Sequence, residues 1–409
     1  MNKGIVAYLN AVELEADSEA IYHKSFGVTG AATRIPRVLI LLGFINRHSL
    51  VLNGLLPLMS WCYALLVAPA FFLYRAGQIA IKQRVKHCID IKQIYGKEVY
   101  LATSSGSNLA YLPQDTAKPD FILTTPFRGG INNDVLPSAT RINILSYINL
   151  THLAWAWWQA VLTNLYLLKK KYRRKILWGY TAMEWFLVYR VLLQLRPNAV
   201  WVSNHHDRWL MLSLSIPGVP VKLVQHGRLY HTLPNGEHLS YKKNLKISGL
   251  SKIYVLDECS ERLFNDYIDC RSVEFLRITP SLLIKPWRAN ELASIKILII
   301  GGSNKLNFYL DLMDLLTLEI AKTIDLAIRH HPLQKNRLSE LRSPINYWEL
   351  SSDEAIPSPD LIISYGSSID DQLKSATHAP IITYAWSDYI NLTDIVNQVK
   401  VATNNLPRN

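Results

Sequence analysis

The chain has 409 residues, which is enough for two domains of ordinary size. Hydrophobic residues make up 49% of it and charged residues 19%, which excludes a disordered chain and a coiled coil. The net charge of +12 predicts an anionic partner: nucleic acid, lipid headgroups or a phosphorylated substrate. The 11 Trp and 21 Tyr crowd into apolar stretches beside Lys/Arg runs, a pattern typical of a lipid–water interface. No zinc-finger, RNA-recognition or basic-zipper spacing occurs, so we expect no nucleic-acid partner.

The four cysteines, Cys62, Cys88, Cys259 and Cys270, form no C-x-x-C pair and have no ligand-like spacing with His. This predicts a reducing compartment without disulfides and without a metal site. The N-terminus has a short apolar run that is followed at once by acidic residues, which does not fit a secretory signal. We therefore expect the protein at the cytoplasmic face of the inner membrane, in a peripheral or monotopic arrangement.

The N-terminal half combines apolar and basic segments. Residues 1–35 are polar and weakly patterned, which predicts a loose extension. Arg37–Gly43 predicts a buried parallel strand. Ser49–Tyr74 has 26 residues without a formal charge, long enough to cross a bilayer. Pro57 and Pro69 interrupt it, however, so a buried or interfacial helical segment is the favoured alternative.

A second aromatic region runs from Thr151 to Tyr189. Leu153–Leu168 is apolar and carries Trp155, Trp157 and Trp158; the basic run Lys169–Lys175 follows it. One interpretation is a pair of core helices joined by a solvated basic elbow. The other, compatible with the first, places the elbow on anionic headgroups.

From Asn198 onward, short apolar runs alternate with helical patterns, and the alternation favours parallel sheets. The predicted strands are Asn198–Ser203, Val219–Gln225, Lys252–Leu256, Val273–Leu276, Ile295–Ile300, Ile324–Arg329 and Asp360–Ser364. Predicted helices are Ser260–Ile268 and Tyr309–Ala321, and Pro280–Ala293 is predicted to be a linker. We thus expect an N-terminal extension (1–35), an acceptor-side Rossmann-like domain with membrane-associating segments (36–285) and a donor-binding Rossmann-like domain (290–409).

Polar residues follow five of these strands directly, where parallel sheets bind their ligands. They are Asn204–Asp207, His226–Arg228, Gly301–Lys305, His330–Pro332 and Tyr365–Ser368. Each group has a structural alternative: Asp207 can belong to a helix cap, Gly301 and Gly302 to a tight turn, and Ser367 and Ser368 to an N-cap. A free helix N-terminus also binds phosphate, however. His226 and His331 stand just outside the apolar pattern, which favours a functional role for both.

Gln225-His226-Gly227, His331-Pro332 and Ser367-Ser368, in that order, resemble motifs of bacterial capsule and cell-wall transferases. That group includes sialyltransferases, polysialyltransferases, capsule polymerases and CDP-glycerol glycerophosphotransferases, which share the two-lobed GT-B fold. The resemblance covers roughly residues 200–385. It implies that His331, Ser367 and Ser368 hold the donor phosphates and that His226 acts as base.

Two departures from these families leave the base open. Ser364–Ser368 differs from the Asp-Tyr-Ser-Ser pattern of the glycerophosphotransferases, and the acidic motif of the sialyltransferases is not evident. The base is therefore either His226 or Asp207. No Asp-x-Asp occurs in the chain, which argues against a GT-A-type metal site.

The sequence thus predicts an α/β protein with two Rossmann-like domains facing each other across a cleft and an apolar N-terminal membrane-associating segment. The expected enzyme is a metal-independent glycosyltransferase without a cofactor. It would move a sialic-acid-like sugar or a polyol phosphate from a CMP- or CDP-linked donor to a glycan or lipid-linked acceptor in capsule, lipopolysaccharide or cell-wall biosynthesis.

The residues expected to act can be grouped by role. Catalysis is assigned to His226, His331 and Asp207, and the donor phosphates to Gly301, Gly302, Ser303, Ser367, Ser368 and Arg329, with Arg228 and Lys305 as further charge partners. The alternative to a transferase is a non-catalytic membrane scaffold with a degenerate transferase fold. A nucleotide-sugar epimerase is disfavoured because no G-x-x-G-x-x-G occurs in the chain.

Overall fold

A computed structural model describes much of the chain in two compact units, one formed by the described residues up to 278 and the other by those from 284 onward. The described residues are 3–26, 58, 60–83, 90–102, 109, 112, 118–125, 139–169, 173–203, 208–225, 247–278, 284–287, 295–301, 306–320, 324–329, 347–350, 354–365, 370–384 and 391–405.

The first unit is built on a parallel sheet of seven strands in the order β3-β2-β1-β4-β5-β6-β7. The strands are β1 (Glu98–Ala102), β2 (Phe121–Thr124), β3 (Thr140–Asn143), β4 (Ala199–Val202), β5 (Val221–Val224), β6 (Leu250–Val255) and β7 (Glu274–Arg277). All four residues of the central β4 are buried, as expected for a strand covered on both faces.

The described helices of this unit either precede the sheet in the chain or lie between its strands. They are α1 (Lys3–Phe26), α2 (Ala68–Gln83), α3 (Ile91–Ile94), α4 (Leu150–Leu167), α5 (Ala182–Leu195), α6 (Arg208–Leu214) and α7 (Glu258–Tyr267). A π-helical turn, Tyr63–Val67, leads directly into α2. Local sequence sets several ends: Asn149 forms a capping box with His152 at the start of α4, and the Asp257 carboxylate accepts the Ser260 amide at the start of α7.

The expectation of a loose extension over residues 1–35 is wrong for residues 3–26. These residues form α1, and its side chains Tyr8, Leu9, Val12 and Leu14 are buried. The segment looked polar partly because of Glu15, yet Glu15 is also buried. A buried charge removes the apolar periodicity by which an amphipathic helix is recognised.

The partner of Glu15 is Arg208, the first residue of α6. Arg208 Nε lies 2.5 Å from Glu15 Oε2, and both side chains are buried. Burial alone would lower the pKa of Arg208, but the Glu15 carboxylate, together with Tyr8 and Tyr180, raises that pKa on balance, so the guanidinium stays charged. Tyr8 adds a second link, because its hydroxyl donates to Trp178 O at 2.6 Å. These contacts fix α1 and α6 to the body of the first unit.

The second unit contains a five-stranded parallel sheet in the order β11-β10-β9-β13-β14 and a two-stranded parallel pair of β8 and β12. Its strands are β8 (Ile284–Lys285), β9 (Ile295–Ile300), β10 (Ile324–Arg329), β11 (Tyr347–Leu350), β12 (Ile356–Pro357), β13 (Leu361–Ser364) and β14 (Ile381–Thr383). Its helices are α8 (Leu306–Glu319), α9 (Asp370–Thr377) and α10 (Leu392–Asn404).

The prediction of an α/β protein with parallel sheets is confirmed. The predicted strands from Asn198 onward correspond to β4–β7, β9, β10 and β13, and the predicted helices to α7 and α8. Residues 37–43, 204–207 and 226–228 lie outside the described part of the chain. The predicted linker includes Trp287, which packs on the second unit: its ring stacks on Trp348 with centroids 5.3 Å apart, and its Nε1 donates to Asp325 Oδ2 at 2.8 Å.

The Glu15–Arg208 pair yields a stability prediction. Glu15→Gln keeps the shape of the side chain but leaves a buried guanidinium without its counter-charge, which typically costs about 3–5 kcal/mol. We expect a loss of this size in the free energy of unfolding, measured by urea titration. Glu319→Gln is the matched control, because the Glu319–Lys400 pair is exposed and such pairs contribute about 0–1 kcal/mol. Equal effects of the two substitutions would contradict the prediction.

Candidate functional site

Of the predicted site residues, the structure describes Gly301 and Arg329. The others lie outside the described part of the chain: Asp207, His226, Gly302, Ser303, His331, Ser367 and Ser368, together with Arg228 and Lys305. The site is therefore built from the strand ends that precede these residues in the sequence.

Three neighbouring strands of the second unit end at the same edge of its sheet. Ile300 of β9 is paired with Arg329 of β10 on one side and with Ser364 of β13 on the other. Because the strands are parallel, these three residues share the carboxyl edge, where parallel sheets bind ligands. The candidate residues at 302, 331 and 367 follow them by two or three positions in the sequence.

Gly301 closes the contact between two of these strands. Its amide donates to Arg329 O at 2.8 Å. A Cβ at Gly301 would lie 3.3 Å from that oxygen and 3.5 Å from Tyr309 Oη, so glycine lets α8 pack closely against the end of β9. The Gly301 amide is thus already engaged and is not available to an anion.

The end of β13 is tied to the start of α9. Ser364 Oγ donates to Asp370 Oδ1 at 2.8 Å, and both side chains are buried. Asp370 is the first residue of α9, where a carboxylate stabilises the positive end of the helix dipole. Tyr384 crosses the same edge, since its hydroxyl donates to Ile300 O at 3.1 Å. These bonds make the carboxyl edge of the second sheet a preorganised platform.

Buried polar side chains also line the carboxyl edge of the first sheet. Ser203 follows β4, and its Oγ lies 2.7 Å from Tyr100 Oη of β1. Gln225 follows β5 and is fully buried. Its Oε1 accepts the Leu256 amide at 2.8 Å, and its Nε2 donates to Ser260 Oγ at 2.7 Å. The amide group of Gln225 therefore joins the end of β5 to the end of β6 and the start of α7.

This network fixes the residue directly before the candidate base. Gln225 N also donates to Tyr254 O at 2.9 Å, so both its backbone and its side chain are held when the chain reaches His226. Sequence reasoning named Gln225 as part of a motif but missed its role. The sequence signal for this role is a glutamine at the end of an apolar run. Burying its side-chain amide there costs free energy unless the amide forms hydrogen bonds, so partners are expected.

Among the described residues, no group of three His, Cys, Asp or Glu side chains is placed to hold a metal ion. At the carboxyl edge of the second sheet, the described side chains include the Arg329 guanidinium and one buried carboxylate, that of Asp370.

Comparison with known families gives no match: no family model and no curated protein matches the chain. Among solved structures, the calicheamicin glycosyltransferase CalG4 matches with a TM-score of 0.40 at 11% identity, covering 70% of this chain and 79% of CalG4. The apo lipopolysaccharide outer core galactosyltransferase WaaB matches with a TM-score of 0.36 at 8% identity, covering 75% and 90%.

A third solved structure, the UDP-GlcNAc 2-epimerase from Methanocaldococcus jannaschii, matches equally well. Its TM-score is 0.36 at 11% identity, covering 76% of this chain and 93% of the epimerase. At these scores and identities the matches establish neither a shared family nor a shared activity.

The Gln225 network yields a second prediction. Gln225→Met keeps the length of the side chain but leaves the half-buried Leu256 amide and the buried Ser260 hydroxyl without their partner, which costs about 1–3 kcal/mol for the buried hydroxyl and less for the amide. We expect lower stability in urea titration. We also expect a loss of activity, measured under conditions where the variant remains folded. The reason is that the side chain of the residue directly before His226 is no longer held by hydrogen bonds.

Ser260→Ala is the matched control for this substitution. It removes one bond of the network and leaves the Leu256–Gln225 bond in place. If Ser260→Ala reduced activity as much as Gln225→Met at equal folded fraction, the positioning role of Gln225 would be contradicted.

Proposed function

We propose that this protein is a metal-independent glycosyltransferase that moves a sugar from a nucleotide-activated donor to an acceptor hydroxyl. The observation that carries the proposal is the shared carboxyl edge of β10, β9 and β13, from which the segments with His331, Gly302 and Ser367 continue. Convergence of such segments at one sheet edge is the usual origin of a ligand site in parallel α/β proteins.

The reaction forms a bond between the acceptor oxygen and the anomeric carbon of the sugar, or the β-phosphorus of a CDP-linked polyol, and breaks the bond from that atom to the oxygen of the departing nucleotide phosphate. A base takes the acceptor proton, and His226 is our choice because imidazole titrates near neutral pH, with Asp207 as the alternative. The departing nucleotide phosphate gains negative charge. His331, Ser367, Ser368 and Arg329 are proposed to stabilise it.

The finer assignments rest on the sequence motifs. We propose a CMP- or CDP-linked donor carrying a sialic-acid-like sugar or a polyol phosphate, because the His226 and His331 motifs resemble those of capsule and cell-wall transferases. The acceptor is proposed to be a glycan or lipid-linked glycan of capsule, lipopolysaccharide or cell-wall biosynthesis. The net charge of +12 supports work at an anionic membrane surface, and the location at the cytoplasmic face stays a prediction.

The second candidate function is a non-catalytic scaffold at a membrane. The observation that favours it is the set of large apolar side chains exposed along the Ser60–Lys82 helix, which a soluble enzyme has no need to carry. The two functions differ in turnover, since a scaffold releases no nucleotide from a donor.

The test is nucleotide release from CMP- and CDP-activated donors in the presence of membrane glycolipid acceptors. We expect turnover by the wild type and a loss of about 100-fold or more for His331→Asn, the typical effect of removing one preorganised donor to a transition-state charge. Full activity of His331→Asn would remove this residue from the mechanism. No release from any donor would favour the scaffold.

His378→Asn is the matched control for His331→Asn. His378 is an exposed histidine of the same unit with a left-handed backbone (φ 58°), a conformation that asparagine tolerates. We expect this variant to keep wild-type turnover. An equal loss in both variants would indicate a general effect of substitution in this unit rather than a role for His331.

A further inference from the structure

The Ser60–Lys82 helix has two unlike sides, and by length and composition it is the one helix among the described residues that could cross a membrane. One side packs against the first unit through a buried stripe made of Ser60, Tyr63, Ala64, Ala68, Phe72 and Ile79. The opposite side is exposed but apolar, with Trp61, Leu65, Leu66, Val67, Leu73, Tyr74 and Ile81 between 49% and 71% exposed. A helix on the surface of a soluble domain normally carries polar residues on its outer side.

The neighbouring helix α4 continues this surface. Trp157 of α4 contacts the Ser60–Lys82 helix directly, since its Nε1 donates to Pro69 O at 3.4 Å. The ring of Trp158 lies 6.4 Å from that of Trp157 and is 52% exposed, and Leu150 and Leu165 of α4 are exposed as well. We call the exposed apolar residues of these two helices the apolar face.

Basic residues lie at the ends of both helices. Lys82 is exposed and follows Ile81 directly. Lys169 is exposed just beyond α4, and its ammonium lies 4.7 Å from the centre of the Tyr166 ring. The exposed apolar residues themselves carry no charge. The surface thus combines an uncharged apolar area, tryptophan and tyrosine, and lysine at its ends, which is the composition of an interfacial membrane helix.

We propose that the apolar face docks onto an anionic lipid bilayer, with both helices lying in the plane of the interface. This rests on the membrane setting of the proposed function and specifies which residues meet the lipid. The charges favour lipid over a second copy of the chain, because a second copy would bring the lysines of two net-positive chains together. Anionic headgroups supply the opposite charge.

The packed side of the helix decides between lying in the plane and crossing. A helix of 23 residues is about 35 Å long, and here its buried stripe runs from Ser60 to Ile79, most of that length. Arg75 Nη2 forms an ion pair with Glu184 Oε1 of α5 at 3.2 Å, beyond the middle of the helix. Crossing the bilayer would carry this ion pair and the attached unit into hydrocarbon, which is costly. An in-plane arrangement keeps every one of these contacts.

The test is co-sedimentation of the full chain with sealed vesicles of phosphatidylcholine alone and of phosphatidylcholine with phosphatidylglycerol. We expect binding to the anionic vesicles and at least about 10-fold weaker binding after Leu66→Gln with Leu73→Gln, because two leucines no longer enter the apolar layer. The matched control is Leu318→Gln with Val401→Gln, two exposed apolar residues of the second unit. We expect this control to bind as the wild type does.

Other outcomes overturn the proposal. Unchanged binding by the Leu66/Leu73 variant would show that the apolar face does not meet lipid. Suppose the wild type binds neither kind of vesicle but forms a dimer, and the Leu66/Leu73 variant does not. That result would identify a second copy of the chain as the occupant of the apolar face. Vesicle binding requires no donor turnover, so a failure here leaves the transferase proposal standing, and an inactive protein leaves this proposal testable.

The in-plane arrangement has its own readout. Leu58→Cys and Lys82→Cys, each in a chain whose native cysteines are replaced by serine, place a single thiol at one end of the helix. A membrane-impermeant maleimide added outside should label both variants after binding to the vesicles. Protection of one end alone would show that the helix crosses the bilayer.

Discussion

Parallel pairing of short, buried strands is the constraint on which both units depend. In a parallel sheet the chain must return across one face before it can pair again, so each strand ends at the same edge as its neighbours. Polar side chains that follow the strands are thereby gathered at one edge without being close in sequence. For this reason Gln225 and Ser260, 35 residues apart in the sequence, form a hydrogen bond. In the second unit, the Gly301 amide donates to Arg329 O where β9 and β10 end.

A second constraint is that buried charge and buried amide groups must be paired. Glu15 and Arg208 satisfy it between two helices, and Gln225 satisfies it between two strands. Both sets adjoin segments assigned to the site, because Arg208 follows Asp207 in the chain and Gln225 precedes His226. Gln225 thus supports the position where the chain leaves β5.

How far the sequence could predict this structure depends on whether each element carries its own signal. Strands β4, β5, β9, β10 and β13 are apolar runs with clear ends and were predicted. Strands β1 and β3 were missed, because β1 begins with Glu98 and β3 carries Arg141 and Asn143. Glu98 is acceptable there only through distant residues: Lys222 Nζ lies 2.7 Å from its Oε1, and Trp201 Nε1 lies 2.6 Å from its Oε2. Such partners cannot be inferred from a local pattern, and the same holds for Gln225 and its bonds.

The π-helical turn at Tyr63–Val67 has a consequence for how the apolar helix is arranged. A turn of this kind accommodates one extra residue, and each residue of an α-helix turns its successor by about 100°. The turn therefore changes the rotation between the two halves of the helix. It places Ala68, Phe72 and Ile79 on the same side as Ser60 and Ala64, although α-helical spacing alone would rotate them away from it. In an uninterrupted α-helix, Ala68, Phe72 and Ile79 would lie about 100° around the axis from Ser60. Removing one residue from this turn would leave an ordinary α-helical turn and keep the buried side continuous, whereas removing one residue elsewhere in the helix would rotate its two halves by about 100° relative to each other.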